Sequence, residues 1–184
     1  MKRIRFGALA AIALGGVGLS VVTVQSKSAS AQDVLSGHVG VQFPIVTTSA
    51  TGTTTIGDSF NINFPVGIGV RPPGWPVLID FEFVPEVHPS TRSTTLLVHP
   101  GVILPLSDGW AVGIRAAFEI NQNSVGFTPL VNKSFPVSGQ KFRWFVEGDL
   151  PVRFTRTVIT LPNGRVNNSD ATSVGFVLHL GLAF

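Results

Sequence analysis

The residues able to do chemistry recur in pairs two apart. Asp80 and Glu82, and again Glu147 and Asp149, place two carboxylates on one face of an extended strand. Such a pair could offer hard oxygen ligands to calcium or magnesium, but no metal-loop signature surrounds either one. The reading is no metal and no cofactor. Glu86 and Glu119 add two more acids, and Arg115, Arg143 and Arg153 supply basic partners. His38, His88, His99 and His179 are the four histidines, and cysteine is absent. A disulfide, a zinc-thiolate centre and a thiol nucleophile are therefore excluded. There is no G-x-S-x-G elbow, no P-loop and no dinucleotide fingerprint.

These side chains need elements to hold them. Only 12% of residues are charged and the mean hydropathy is +0.38, yet the chain has 20 Gly and 13 Pro. High hydropathy with many helix breakers suits strands and turns rather than membrane helices. The formal charge of +3 is misleading. Lys2, Arg3, Arg5 and Lys27 lie in the first 31 residues, which carry no acid, and the remainder holds nine bases against ten acids. No nucleic-acid partner is implied.

Residues 1–31 have the form of a secretory signal. A basic start is followed by the apolar run Phe6–Val24 and by a small-x-small site at Ala29, Ser30 and Ala31. Cleavage after Ala31 leaves 32–184 as a single domain. No later apolar run approaches spanning length. If the mature chain enters a membrane, it does so as a closed barrel, since lipid offers no partner to free backbone groups.

The mature chain alternates with period two. From Val174 to Phe184 one face carries Val174, Phe176, Leu178, Leu180, Leu182 and Phe184, and the other Gly175, Val177, His179, Gly181 and Ala183. Three segments share a form: apolar-Pro-apolar, a short turn, then an aromatic-led strand. The turns are Arg71–Gly74, Ser107–Gly109 and Ser138–Gln140. Strands are predicted at about 35–46, 59–70, 77–87, 95–106, 110–121, 127–137, 142–156 and 173–184. Eight strands put both ends on the side of the short turns, beside Trp75, Trp110 and Trp144, which form an aromatic girdle. The opposite connections, 47–59, 88–94, 121–126 and 157–172, are expected to be longer, polar loops.

Alternation also assigns the charges. Asp80, Glu82, Glu86, Arg115, Glu119, Arg143, Glu147, Asp149 and Arg153 fall on one face, the lumen. Phe60–Val70, Val77–Phe83, Val112–Ile120 and Trp144–Phe154 supply the outer apolar face. An eight-stranded lumen is just wide enough for side chains to fill, so a paired network plugging it is expected. His38, His99 and His179 lie inward on three different strands and read as lumen polar residues rather than ligands. Two features resist. Lys133 falls on the lipid side, which a bulge, a register change or snorkelling would cure. Pro44, Pro65, Pro105 and Pro136 lie within strands, where bulges or strand ends would accommodate them.

The last strand carries a resemblance. A terminal Phe184 with Phe176, Leu180 and Leu182 at alternate positions before it resembles the assembly signal of small bacterial outer-membrane barrels, of the OmpA-like and OmpX type. The motif spans about ten residues, and the likeness elsewhere is one of architecture. The chain departs from that group in having no Tyr. The resemblance implies an antiparallel up-and-down transmembrane barrel in the outer membrane of a Gram-negative cell, with lipid, lipopolysaccharide and the barrel-assembly machinery as partners. The leading functional reading is a non-enzymatic structural or surface-interaction barrel. A minor pore for small solutes or ions is the second, and a lipid-modifying enzyme the third.

Overall fold

A computed structural model describes residues 34–120, 122–160 and 166–184. The signal-like segment up to Ala31 lies outside them. The strands are β1 Leu35–Ser49, β2 Gly52–Thr55, β3 Ile62–Asn63, β4 Val66–Val70, β5 Leu78–His88, β6 Ser93–Pro105, β7 Trp110–Ile120, β8 Ser124–Pro136, β9 Arg143–Asp149, β10 Val152–Thr160 and β11 Val166–Ala183. Every ladder is antiparallel, and the pairing of β1 with β11, from His38↔Ala183 to Ser49↔Ser173, closes the sheet. The result is an eight-staved up-and-down β-barrel. β2, β3 and β4 make one interrupted stave, and β9 with β10 another.

The interruptions follow from proline chemistry. Pro65 separates β3 from β4 and Pro151 separates β9 from β10, where a missing N–H breaks the ladder. The ladder continues through the proline carbonyls: Gly40 N–H donates to Pro65 O at 3.0 Å, and Gly175 N–H to Pro151 O at 2.9 Å. Pro44 begins a register shift to Val46, a bulge. Pro105 and Pro136 are the last residues of β6 and β8. Bulges, breaks and strand ends thus accommodate all four flagged prolines.

At one end the staves are joined by three tight turns, each with a glycine in left-handed backbone: Gly74 (φ 82°), Gly109 (φ 78°) and Gly139 (φ 73°). Trp75, Trp110 and Trp144 follow them, all about half exposed, and Trp144 stacks on Phe135 with centroids 4.1 Å apart. Gly37 and Phe184 exchange backbone hydrogen bonds of 2.8 and 2.9 Å at the same end.

The other end differs from expectation. Much of 47–59 and 157–172 is strand rather than open loop. β1 turns directly into β2, and β10 and β11 stay paired out to Thr160↔Val166. The Thr, Val and Ile content of these segments explains it, since β-branched side chains fit a pleated ribbon. The hydroxyls of Thr48 and Thr53 meet at 3.1 Å across the first hairpin.

Lys133 keeps its register. Its side chain lies on the outer face near the turns, and its ammonium donates to the Asp108 carbonyl and sits 5.0 Å over the Trp110 ring. It snorkels, and no bulge is needed.

Candidate functional site: a charged septum across the lumen

The two faces of the barrel invert the usual arrangement. Outside, large apolar side chains such as Ile68, Phe81, Phe83, Ile114, Phe118 and Phe154 are exposed, whereas Asp80, Glu82, His99, Arg115, Glu147, Asp149 and His179 are buried inside. Strand alternation produces both sets at once.

Register brings the inward groups together. Glu82 stands opposite Gly67 on β4 and His99 on β6. Arg115 stands opposite Gly101 and Thr128, and Glu147 opposite Asn132 and His179. Gln42 stands opposite His179 and Asn63. Glycine recurs where a charged side chain needs room. A Cβ on Gly67 would enter the His38 ring, and one on Gly101 would lie 2.6 Å from Arg115 Cγ.

Arg115 is the centre. Its Nε donates to Asp80 Oδ2 at 2.7 Å and its Nη1 to Glu147 Oε1 at 2.8 Å. Nη1 also lies 3.7 Å from Glu82 Oε2 and 3.9 Å from Asp149 Oδ1. The guanidinium fork, five donors in a fixed plane, can serve several carboxylates at once. Glu82 binds two imidazoles: its Oε1 meets His38 Nε2 and its Oε2 meets His99 Nδ1, both at 3.0 Å. Glu147 Oε2 accepts from Asn132 Nδ2 at 2.9 Å, while Oε1 also meets His179 Nδ1 at 3.2 Å. Gln42 Nε2 donates to Asp149 Oδ2 at 3.4 Å. Arg153 Nη2 donates to His99 Nε2 at 3.2 Å, so that ring carries its proton on Nδ1, facing Glu82.

The network forms a septum. A cavity of about 530 Å³ lies between it and the short-turn end, with Asp80, Arg115 and Glu147 at its floor. A second, of about 140 Å³, lies on the far side, with Gln42, His99 and Asp149 among its walls. Glu82 and His179, both fully buried, lie between them. Above the septum Val84, Leu97 and Ala117 form a small apolar layer.

The nine charged residues assigned to the lumen divide into three groups. Asp80, Glu82, Arg115, Glu147 and Asp149 make the septum. Glu86, Glu119 and Arg153 lie in the upper cavity, where Thr95 donates to Glu86 at 2.9 Å and Arg153 Nε comes within 3.9 Å of Glu119. Arg143 stands apart, exposed at the turn-end mouth of the lower cavity.

Sequence reasoning missed the convergence of the histidines. His38 and His99 reach Glu82 and His179 reaches Glu147, and the His38 and His179 rings lie 6.1 Å apart. Part of this was within reach. Counting outward from the turn Ser107–Gly109 pairs Arg115 with Gly101, which is the register found. His38 meets Glu82 across Gly67 of β4, whereas its approach to His179 depends on barrel closure, which no local signal encodes. His88, higher up, bonds Asn61 at 3.1 Å and Thr95 at 3.3 Å.

One metal-like set exists among the described residues. Ligand atoms of Glu82, Glu147 and His179 lie within 4.8 Å of one another. Arg115 Nη1 already touches Glu147 and approaches Glu82, so the guanidinium takes the place a cation would fill. The arrangement spans the lumen and holds buried, paired charge. No protein-family model matches the chain, and comparison with curated proteins finds no significant similarity.

Proposed function

We propose that this chain is an integral outer-membrane β-barrel, closed by its septum, whose role is structural or surface interaction. The carrying observation is the inverted barrel: an exposed apolar belt around a buried ionic core. A water-soluble protein rarely exposes apolar patches beyond a few hundred Å². From Trp144 to Phe154 a stave climbs ten residues, about 25 Å at ~3.4 Å per residue and a tilt of about 40°, the height of a hydrocarbon band. The Trp girdle and Lys133 mark one interface, and the exposed Arg156–Asp170 pair stands beyond the belt at the other.

In this reading the short turns and both chain ends face the periplasm. The β1–β2 and β10–β11 hairpins face outward, toward lipopolysaccharide or another cell. The outward residues Phe176, Leu180, Leu182 and Phe184 serve the assembly machinery. A second reading, a minor cation path, draws on the two cavities that only the septum separates.

Fractionation of a Gram-negative host expressing the full chain tests the first reading. The protein should stay with outer membranes through an alkaline carbonate wash and leave only in detergent. Protease added to intact cells should cut the β10–β11 hairpin. Recovery in the soluble periplasmic fraction would overturn the proposal.

A further inference from the structure

The lower cavity has a polarity that the closed-barrel reading does not use. Its floor is the septum, where the lining acids Asp80 and Glu147 are held by Arg115. Its wall is partly apolar, with Leu78, Ile103 and Phe145. Its mouth carries Arg71, Lys141 and Arg143. Among the described residues no carboxylate comes within ion-pair distance of any of these three, although Arg115, Arg153 and Arg156 each have one. The three come from two sides of the mouth: Arg71 follows β4, while Lys141 precedes β9 and Arg143 begins it.

We propose that this cavity binds an anion-headed amphiphile. A phosphate or carboxylate sits among Arg71, Lys141 and Arg143, and a short apolar body lies along Leu78, Ile103 and Phe145. The volume, about 530 Å³, falls within the usual range for a small ligand. Unpaired cations over a low-dielectric cavity concentrate anions at its entrance. Guanidinium groups offer phosphate and carboxylate a forked, charge-assisted grip. The apolar wall selects an organic anion over an inorganic one, and the septum sets how deep the body can reach. A membrane lipid and a soluble metabolite both present such a head to the rim.

The test is calorimetric titration of the full chain, expressed in a Gram-negative host and purified in neutral detergent, with hexyl phosphate. One saturable site is expected, with no saturable heat from hexyltrimethylammonium. Arg143→Gln and Lys141→Gln should each weaken hexyl phosphate about tenfold, the loss of one charge-assisted contact, with an unchanged β-sheet circular dichroism spectrum. Ile103→Trp, which fills the cavity without touching the rim, should abolish binding of the hexyl ester. If phosphatidylglycerol in nanodiscs displaces hexyl phosphate, the head is a lipid's; if it does not, the ligand is a soluble anion. No saturable binding, equal binding of the ammonium analogue, or full binding by a folded variant lacking all three cations would overturn the proposal. None of these outcomes depends on whether the lumen conducts.

Discussion

Two arginine–carboxylate pairs in this barrel have nearly the same contact distance and opposite surroundings. Arg115 meets Asp80 at 2.7 Å with both side chains almost wholly buried, 3% and 2% exposed. Arg156 meets Asp170 at 2.9 Å with 63% and 67% exposed. In the outer hairpin water solvates each charge whether or not the partner is present, so the contact adds little. In the septum burial denies each charge most of that solvation. Removing one partner there leaves several carboxylates without the charge that makes their burial tolerable. Distance alone does not rank the two pairs; surroundings do.

The largest effect should come from Arg115→Met. It should destabilise the barrel by about 3–5 kcal/mol, the cost of breaking a buried ion pair, in urea unfolding from lipid. Arg115→Lys should recover only part of that, because a point charge cannot serve Asp80 and Glu147 together. A wild-type midpoint for Arg115→Met would show that the septum is hydrated and that burial does not separate the two pairs.

Next comes the same residue type moved across the wall. Phe118 is exposed on the belt, with inward Ala117 beside it. Phe118→Arg should cost about 2–4 kcal/mol if that face meets the lipid midplane. A cost near zero would mean that water covers the belt.

A smaller effect is expected from packing. Gly67→Ala places a methyl where the His38 ring lies and should cost about 1–3 kcal/mol, as overpacked cores do. The loss should shrink in His38→Ala/Gly67→Ala, a non-additivity that double-mutant analysis would detect.

The smallest effect belongs to the exposed pair. The Asp170 carboxyl is held below its ordinary range by the Arg156 hydrogen bond first and by its charge second. A depressed carboxyl adds stability above its unfolded value, about pH 4, and loses it as pH falls through the folded value. Solvent screening removes most of that contribution. Arg156→Ala should therefore leave the urea midpoint unchanged, both at neutral pH and through the acid window. A shift as large as that of Arg115→Met would erase the contrast.

Most of the barrel was legible because its signals are local. Period-two alternation, three turn signals and the charges on one face gave eight staves and separated inside from outside. Thr47–Ser59 and Thr157–Thr172 misled because polarity was read as loop, although Thr, Val and Ile favour a paired ribbon at the same polarity. Lys133 left three solutions open in sequence, and the one adopted depends on the Asp108 carbonyl and Trp110 ring arriving beside it. The septum was half legible. Its acids and Arg115 could be assigned to the lumen strand by strand. His38 meets Glu82 at 3.0 Å across Gly67 of the neighbouring stave, but its approach to His179, with rings 6.1 Å apart, requires β1 to close against β11, at the far end of the chain.

Ion conductance in a planar bilayer tests the sealed septum most directly, with the full chain produced in a Gram-negative host and purified from the membrane. The account predicts insertion of the wild-type protein without unitary current steps. Reproducible steps from the wild type that change when Glu82→Gln or Glu147→Gln is introduced would contradict it, and would make the lumen a pore.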